Sequence, residues 1–261
     1  MEGLERLSLF IAVLIIMIAW ELIAPRRPLH HSRWQRWSVN IGLSFLTTLI
    51  MRFTIASAAL ISASYAVSHN WGLLHLVDLP VWLHFGLGIV LLDLAIYGQH
   101  RASHQWSWLW RLHKVHHTDL DFDVTTAVRF HPVEIMLSMC YKSLCILIVG
   151  VNPVVVLVFE IILSSCALFN HSNVKIPLMV DKVLRLLLVT PDMHRVHHST
   201  IKAETDSNYG FSISIWDRLF ASYTDQPQQG HNKMTIGLSQ YQHVDDVNMP
   251  QLLLMPFKRD I

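Results

Sequence analysis

Long apolar runs, interrupted by short intervals rich in arginine and histidine, set the pattern of this chain. Between Arg6 and Arg26 the only charge is Glu21, enough residues to cross a bilayer core of about 30 Å. Val39 to Val67 carries Arg52 alone, which predicts a second long helix with one buried or snorkelling cation. A third crossing is expected over about Leu79–Tyr97, where Asp93 is the only charge between Asp78 and Arg101. Ile135–Val174 holds just Lys142 and Glu160 and is broken by Gly150-Val151-Asn152-Pro153, so it reads as a hairpin of two short passes, spanning or re-entrant. The first run lacks a basic leader and a small-residue cleavage site, so it is expected to be a retained anchor. These patterns predict an all-α integral-membrane bundle of about four to five membrane helices, carrying a histidine-rich helical cap. The expected division is membrane anchor helices over 1–79, a catalytic domain over 80–223 and a polar tail over 224–261.

Basic residues orient the bundle. Arg26, Arg27, Arg33 and Arg36 follow the first run, whereas Ser68–Asp78 has neither Lys nor Arg. The positive-inside rule then places the N-terminus outside and the first loop in the cytoplasm. Counting crossings brings Arg101–Arg129 to the cytoplasmic side, and Lys175, Lys182, Arg185, Arg195 and Lys202 agree for the C-terminal third. Trp20, Trp34, Trp37, Trp71 and Trp82 fall near run ends, as an interfacial aromatic belt requires. From about Ser199 the composition turns polar, which predicts a small cytosolic cap.

Composition sharpens this picture. Of 261 residues 52% are hydrophobic and 15% charged, well below the roughly one quarter charged in soluble domains. A net charge of +1 provides no basic field for nucleic acid. Cys140, Cys145 and Cys166 lie in apolar stretches, which disfavours both a disulfide framework and a cysteine-based zinc site. Histidine, by contrast, occurs 17 times, about three times the count expected from an abundance near 2%.

Eight of these histidines fall into three boxes: His100 and His104; His113, His116 and His117; His194, His197 and His198. On a helix, residues i and i+4 share a face, so His100 and His104 can converge on one metal centre. In His-x-x-His-His the adjacent pair diverges by about 100°, so one box can serve two ions. The matching boxes His-Lys-Val-His-His and His-Arg-Val-His-His look like two halves of a dinuclear cradle. Burying so many imidazoles without a metal would require a partner for each ring. A metalloprotease would show HExxH, which is absent. Eight or nine imidazoles suit Fe or Zn better than the oxygen-seeking Mg or Ca. His30, His31, His69, His75, His84, His231 and His243 are read as ordinary hydrogen-bonded residues.

The chain resembles the fatty acid hydroxylase / sterol desaturase superfamily of integral-membrane di-iron oxygenases. The resemblance rests on Asp93-x3-Tyr97-x2-His100-Arg101-x2-His104, His113-x2-His116-His117, Arg129-Phe130-His131-Pro132-x-Glu134 and Asn170-His171. It continues through Thr190-Pro191-Asp192-x-His194-Arg195-x-His197-His198, Asn208-Tyr209-Gly210 and Trp216-Asp217-Arg218-Leu219-Phe220, covering about residues 80–223. Ala221-Ser222 stands where relatives often carry Gly-Thr. The resemblance implies O2-dependent attack on an unactivated lipid C–H bond, leaving a hydroxyl or a double bond. It implies two Fe ions (Zn as an isolated form) held by the eight box histidines with His171 as the ninth, and His131 as an outer partner or occasional ligand.

Around this set, Asp93, Arg129, His131, Glu134 and Asp192 are candidate outer partners of the ligands: Asp93 is expected to orient a box histidine, Asp192 to orient His194 or cap its helix, and Arg129 and Glu134 are also candidates to pair with each other. Arg52 is a candidate partner for Asp93 or Glu160. Substrate would be a membrane lipid entering from the bilayer. No nicotinamide fingerprint is visible, so electrons are expected from a separate ferredoxin- or cytochrome-type reductase, with a pterin route as the alternative. The lead reading is a lipid hydroxylase of a bacterial inner membrane (alternatively the endoplasmic reticulum) with its active site on the cytoplasmic side. The alternatives are a sterol or carotenoid desaturase and a histidine-rich metal transporter.

Overall fold

The computed structural model describes residues 2–55 and 57–258. It is an all-α membrane bundle, with no extended strand among the described residues. The main helices are α1 (Glu2–Ile23), α2 (Arg33–Thr54), α3 (Ala58–Ser68), α4 (Val81–Gln105), α5 (Ser107–His117), α6 (Pro132–Val149) and α7 (Pro153–Asn170). Short helices α8 (Leu178–Leu184), α9 (Pro191–His197), α10 (Lys202–Thr205), α11 (Ile215–Leu219) and α12 (Met249–Leu254) complete the chain. Among the described residues, α1, α4, α6 and α7 are each long and apolar enough to cross a membrane, and the bent pair α2–α3 makes up to five spans.

Sequence chemistry accounts for the breaks. Gly150 ends α6 at φ +80°, and the next helix starts with Asn152 Oδ1 accepting from Val155 N at 3.0 Å, followed by Pro153 at the first helical position. Gly72 and Gly150 pack backbone on backbone, so the α3–α4 and α6–α7 connections meet at one end of the bundle. At the other end, Arg26 N donates to the Asn173 carbonyl at 2.7 Å, tying the exit of α1 to the exit of α7. The first loop with its arginines and every histidine box share that end.

Buried carboxylates lock the box end. Asp119 accepts from Arg36 Nε at 2.6 Å and from Asn40 at 2.9 Å, and Asp123 takes Arg36 Nη1 at 2.5 Å. Asp121 receives the backbone N–H groups of His30 and His31, and Glu21 receives those of Val124 and Asn173. Burial alone would raise the Asp119 pKa, but Arg36 holds it well below the ordinary carboxylate range.

Several expectations require correction. The single helix expected over 39–67 is bent by 40° between α2 and α3. Arg52 is exposed near that bend, and Glu160 instead pairs with Lys142 and Arg6 across α7, α6 and α1. Trp20, Trp34, Trp71 and Trp82 are exposed near helix ends, while Trp37 donates Nε1 to Asp123 at 3.2 Å. The polar C-terminal third does not simply sit on top of the bundle. Ile213 N and Trp216 Nε1 both donate to Asp93 Oδ2, at 3.2 and 2.8 Å, beside the middle of α4.

At Gly150 an added Cβ would lie 2.5 Å from the Trp71 carbonyl oxygen and 2.9 Å from Gly72 Cα. Gly150→Ala therefore combines a disfavoured backbone with a backbone clash. The expected result is a loss of more than about 1 kcal/mol, visible as a lower thermal midpoint in detergent.

Candidate metal centre

Each box is placed by a helix end. His100 and His104 occupy the last turns of α4, and His113, His116 and His117 the last turns of α5. His171 caps α7 at its C-terminus. The third box rides on α9, whose start is fixed by Thr190 Oγ1, accepting from Met193 N, and by Pro191 at the first helical position.

The nine histidines gather into two groups: His100, His104, His113, His117 and His197 in one, and His116, His171, His194 and His198 in the other. Within each group the nearest ring nitrogens all lie within 4.8 Å of one another, and every ring is buried. His116 and His117 fall in different groups, as expected for adjacent helical residues.

Outer hydrogen bonds determine where the lone pairs point. A carbonyl can only accept, so a ring nitrogen bonded to one must carry the proton. His100 Nδ1 donates to the Tyr209 carbonyl at 2.8 Å, and His197 Nδ1 to the Ser207 carbonyl at 2.6 Å. Their Nε2 atoms, left as lone pairs, face each other at 3.0 Å. In the second group His171 Nδ1 donates to Ala167 O at 2.8 Å, and His116 Nδ1 to Arg129 O at 3.2 Å. Their Nε2 lone pairs meet at 3.1 Å, and His194 Nε2 lies 3.0 Å from His171 Nε2. His113 Nδ1 bonds Glu134 at 2.6 Å, turning its Nε2 inward.

Facing lone pairs repel unless a cation lies between them. Two imidazole nitrogens bound at right angles to one ion, at about 2.1 Å each, are about 3.0 Å apart. His113 Nε2, both nitrogens of His104, His117 and His198, and His194 Nδ1 have no hydrogen-bond partner among the described residues. The residues present thus fit a pair of metal ions: neutral nitrogen donors, converging, with outer partners that orient five of the nine rings.

The same burial keeps the rings neutral. Desolvation, aided by the neighbouring imidazoles, drives the pKa values of His116, His117, His194 and His198 well below the usual value. His171 falls to about 4 and His197 to about 3, again chiefly through burial.

Of the flanking residues, Glu134 and the Arg129 carbonyl hold box histidines, while the other side chains do different jobs. Asp93, rather than orienting His100, holds Ile213 and Trp216. Asp192 neither contacts His194 nor caps α9; it pairs with Arg26 at 3.0 Å and Arg195 at 2.5 Å. Arg129 is bound to Val115 O, Asn40 and Thr118 rather than to Glu134. His131 stands outside both groups and caps α6, accepting from Val133 N at 3.1 Å. Reading the sequence missed the backbone acceptors Ser207, Tyr209 and Ala167, since a carbonyl has no sequence signature. It also missed Asp217, which accepts from Tyr209 N, Gly210 N and Ser222 Oγ and so shapes the loop facing His100. Burial pushes Asp217 up to about 6. The quoted Asn-Tyr-Gly and Trp-Asp-Arg motifs were the available signal.

A cavity of about 160 Å³ touches both groups through His100, His113, His116 and His194. Its other walls include Ile96, Phe130, Ile135, Leu163 and Phe211, with Gln99 and Ser138 hydrogen-bonded across α4 and α6 at 3.2 Å. On the opposite flank, a polar groove lined by Trp110, Tyr241 and Lys258 reaches His104.

A buried histidine of depressed pKa gains nothing above its unfolded value near 6.5. It costs stability progressively as pH falls from there toward its folded value, because only the unfolded chain binds the proton. Metal-free protein is therefore expected to lose thermal stability steadily from pH 6.5 to about 4, and to be nearly flat from pH 7 to 8. Melting in detergent across that range checks this.

Comparison with known proteins agrees with the geometry. The chain is 28% identical over 199 residues to ornithine lipid hydroxylase OlsE of Rhizobium tropici, covering 76% of this chain and 57% of that protein. It is 29% identical over 238 residues to the alkylglycerol monooxygenase of Homo sapiens, covering 88% and 48%. With the lathosterol oxidase of Mus musculus it shares 25% over 146 residues, covering 54% and 46%. The chain thus spans about half the length of these relatives. No solved structure matches. The model of the fatty acid hydroxylase family matches residues 85–222, more than half of the 261, and the chain belongs to that family.

Proposed function

We propose that this protein is a membrane-bound, di-iron, O2-dependent lipid hydroxylase. The observation that carries the reading is the pair of convergent histidine groups opening onto one apolar cavity between α4, α6 and α7. Two iron ions, one per group, would supply activation of O2 and oxidation of an unactivated C–H bond. The ligands assigned are His100, His104, His113, His117 and His197 for one ion and His116, His171, His194 and His198 for the other. Glu134 orients His113, while the Tyr209, Ser207, Ala167 and Arg129 carbonyls orient four further rings.

The remaining residues bind and exclude. Ile96, Ile135, Leu163 and Phe211 offer an apolar slot suited to an alkyl or acyl chain, and they keep water from the reacting carbon. Gln99 and Ser138 set a polar contact on the slot wall. Reducing equivalents come from a separate ferredoxin- or cytochrome-type donor, approaching through the polar groove that reaches His104. The shared end of the arginine-rich first loop and the boxes favours the cytoplasmic face, in a bacterial inner membrane.

Hydroxylation is favoured over desaturation by the higher identity to the ornithine lipid hydroxylase and the alkylglycerol monooxygenase, 28% and 29%, than to the lathosterol oxidase and a sterol desaturase, 25% and 26%. Transport is disfavoured because the histidines sit at helix ends on one side, whereas a transporter site is expected at mid-membrane between repeats. Lipid extracts from cells with and without the gene should differ by one species about 16 Da heavier, the mass of one added oxygen. A species about 2 Da lighter would indicate desaturation instead. His116→Ala is expected to abolish that product with the protein still inserted at normal abundance; retained turnover would remove His116 from the ligand set.

A further inference from the structure

The C-terminal third presents an apolar face that faces no part of the described protein. In α8 and the residues after it, Leu178 (63% exposed), Met179 (73%), Leu186 (59%) and Leu187 (71%) point outward; Leu219 (66%) of α11 does the same, and Phe220 (41%) shows one ring face while the other stacks on Tyr97. The two segments are neighbours: Ser214 N donates to the Leu187 carbonyl at 3.0 Å, and Val189 N to the Ser212 carbonyl at 3.0 Å. A contiguous apolar patch of this kind marks an interaction surface.

Depth identifies the occupant. Ile213 N is bonded to Asp93, twelve residues into α4, about 18 Å along its axis at 1.5 Å per residue. Trp82 and Trp106, both more than half exposed, stand at the two ends of α4, about 36 Å apart by the same rise, where interfacial tryptophans bracket a bilayer. The backbone of Ile213 therefore lies well inside that bracket, about 10 Å deeper than His100. From there the chain climbs beside α4, with Tyr97 and Ser222 hydroxyls 2.8 Å apart and Arg101 reaching the Phe220 carbonyl.

The polar chemistry of these segments agrees. Non-helical backbone survives at membrane depth only when its groups are paired within the protein. Here Tyr209 N and Gly210 N are taken by Asp217, and Ile213 N by Asp93. Charges are partnered: buried Arg185 pairs with buried Asp181 and with exposed Asp225, and exposed Arg218 donates to the Arg185 carbonyl and stacks on the Tyr223 ring. Lys182 is exposed on a stem long enough to snorkel to the headgroups.

We propose that residues 178–188 and 215–220 form a monotopic collar immersed in the bilayer leaflet at the histidine end, its apolar face in contact with acyl chains. The collar is a lipid-contacting surface additional to the spanning helices, and it covers the flank of α4 that carries Asp93 and Tyr97.

The test uses the unmodified protein in vesicles of phosphatidylethanolamine and phosphatidylglycerol, doped with a phospholipid carrying a diazirine near its acyl terminus. After irradiation, proteolysis and mass spectrometry locate the adducts. The collar predicts acyl adducts on 178–188 and 215–220 at a yield comparable with that on α1, and at least about tenfold above the polar stretch 224–243. Yields on the two segments no higher than on 224–243 would overturn it.

Discussion

Everything in this structure serves to hold imidazole lone pairs against one another. An Nε2–Nε2 approach of 3.0 Å between His100 and His197, with both Nδ1 protons committed to carbonyls, is repulsive in a bare protein and attractive around a cation. The fold enforces it at two adjacent places. Four elements that cannot reach one another locally (the ends of α4, α5 and α7, and the short α9) are brought together by buried Asp–Arg pairs and by carboxylates that collect loose backbone N–H groups. Removing a carboxylate from that scaffold would leave buried donors unpaired, and the ring geometry depends on the scaffold being fully satisfied.

The membrane explains how so much polar chemistry can be packed at one end. Apolar helices bury their backbone groups internally and leave the bundle interior free for a slot between α4, α6 and α7. That slot ends on the histidines. The slot side of the centre is walled by apolar side chains and the His104 side largely by polar ones, so the two sides are chemically distinct.

Much of this was legible in the sequence. Hydropathy revealed α1, α4 and the α6–α7 hairpin because a run without charges has few alternatives, and Gly150-Val-Asn-Pro signalled the hairpin break directly. The nine histidines were legible from helical spacing together with the family resemblance, and the structure brings all nine into the two groups. The bend after α2 was not legible, since Thr54-Ile55-Ala56-Ser57 contains neither Gly nor Pro. Among the supporting carboxylates Glu134 meets His113, whereas Asp93 and Asp192 stand away from the boxes for geometric reasons. Asp93 shares a helix face with His100 but lies about 10 Å away along the axis, and Asp192, two residues before His194, points about 200° around the helix from it. Spacing along one helix fixes a face; it cannot say which distant segment packs there. Nor does polar composition alone give depth, as Ile213 and Trp216 beside Asp93 make plain.

Metal content of the purified chain tests the central claim most directly. Protein isolated from iron-replete cells and measured by elemental analysis against quantified polypeptide should carry about two metal ions per chain, iron foremost. His171→Ala and His197→Ala, each striking a different group, should each lower that figure toward one. A chain that folds and stays in the membrane yet binds less than about half an ion, or a content unchanged by both substitutions, would contradict the reading of these rings as two metal cradles.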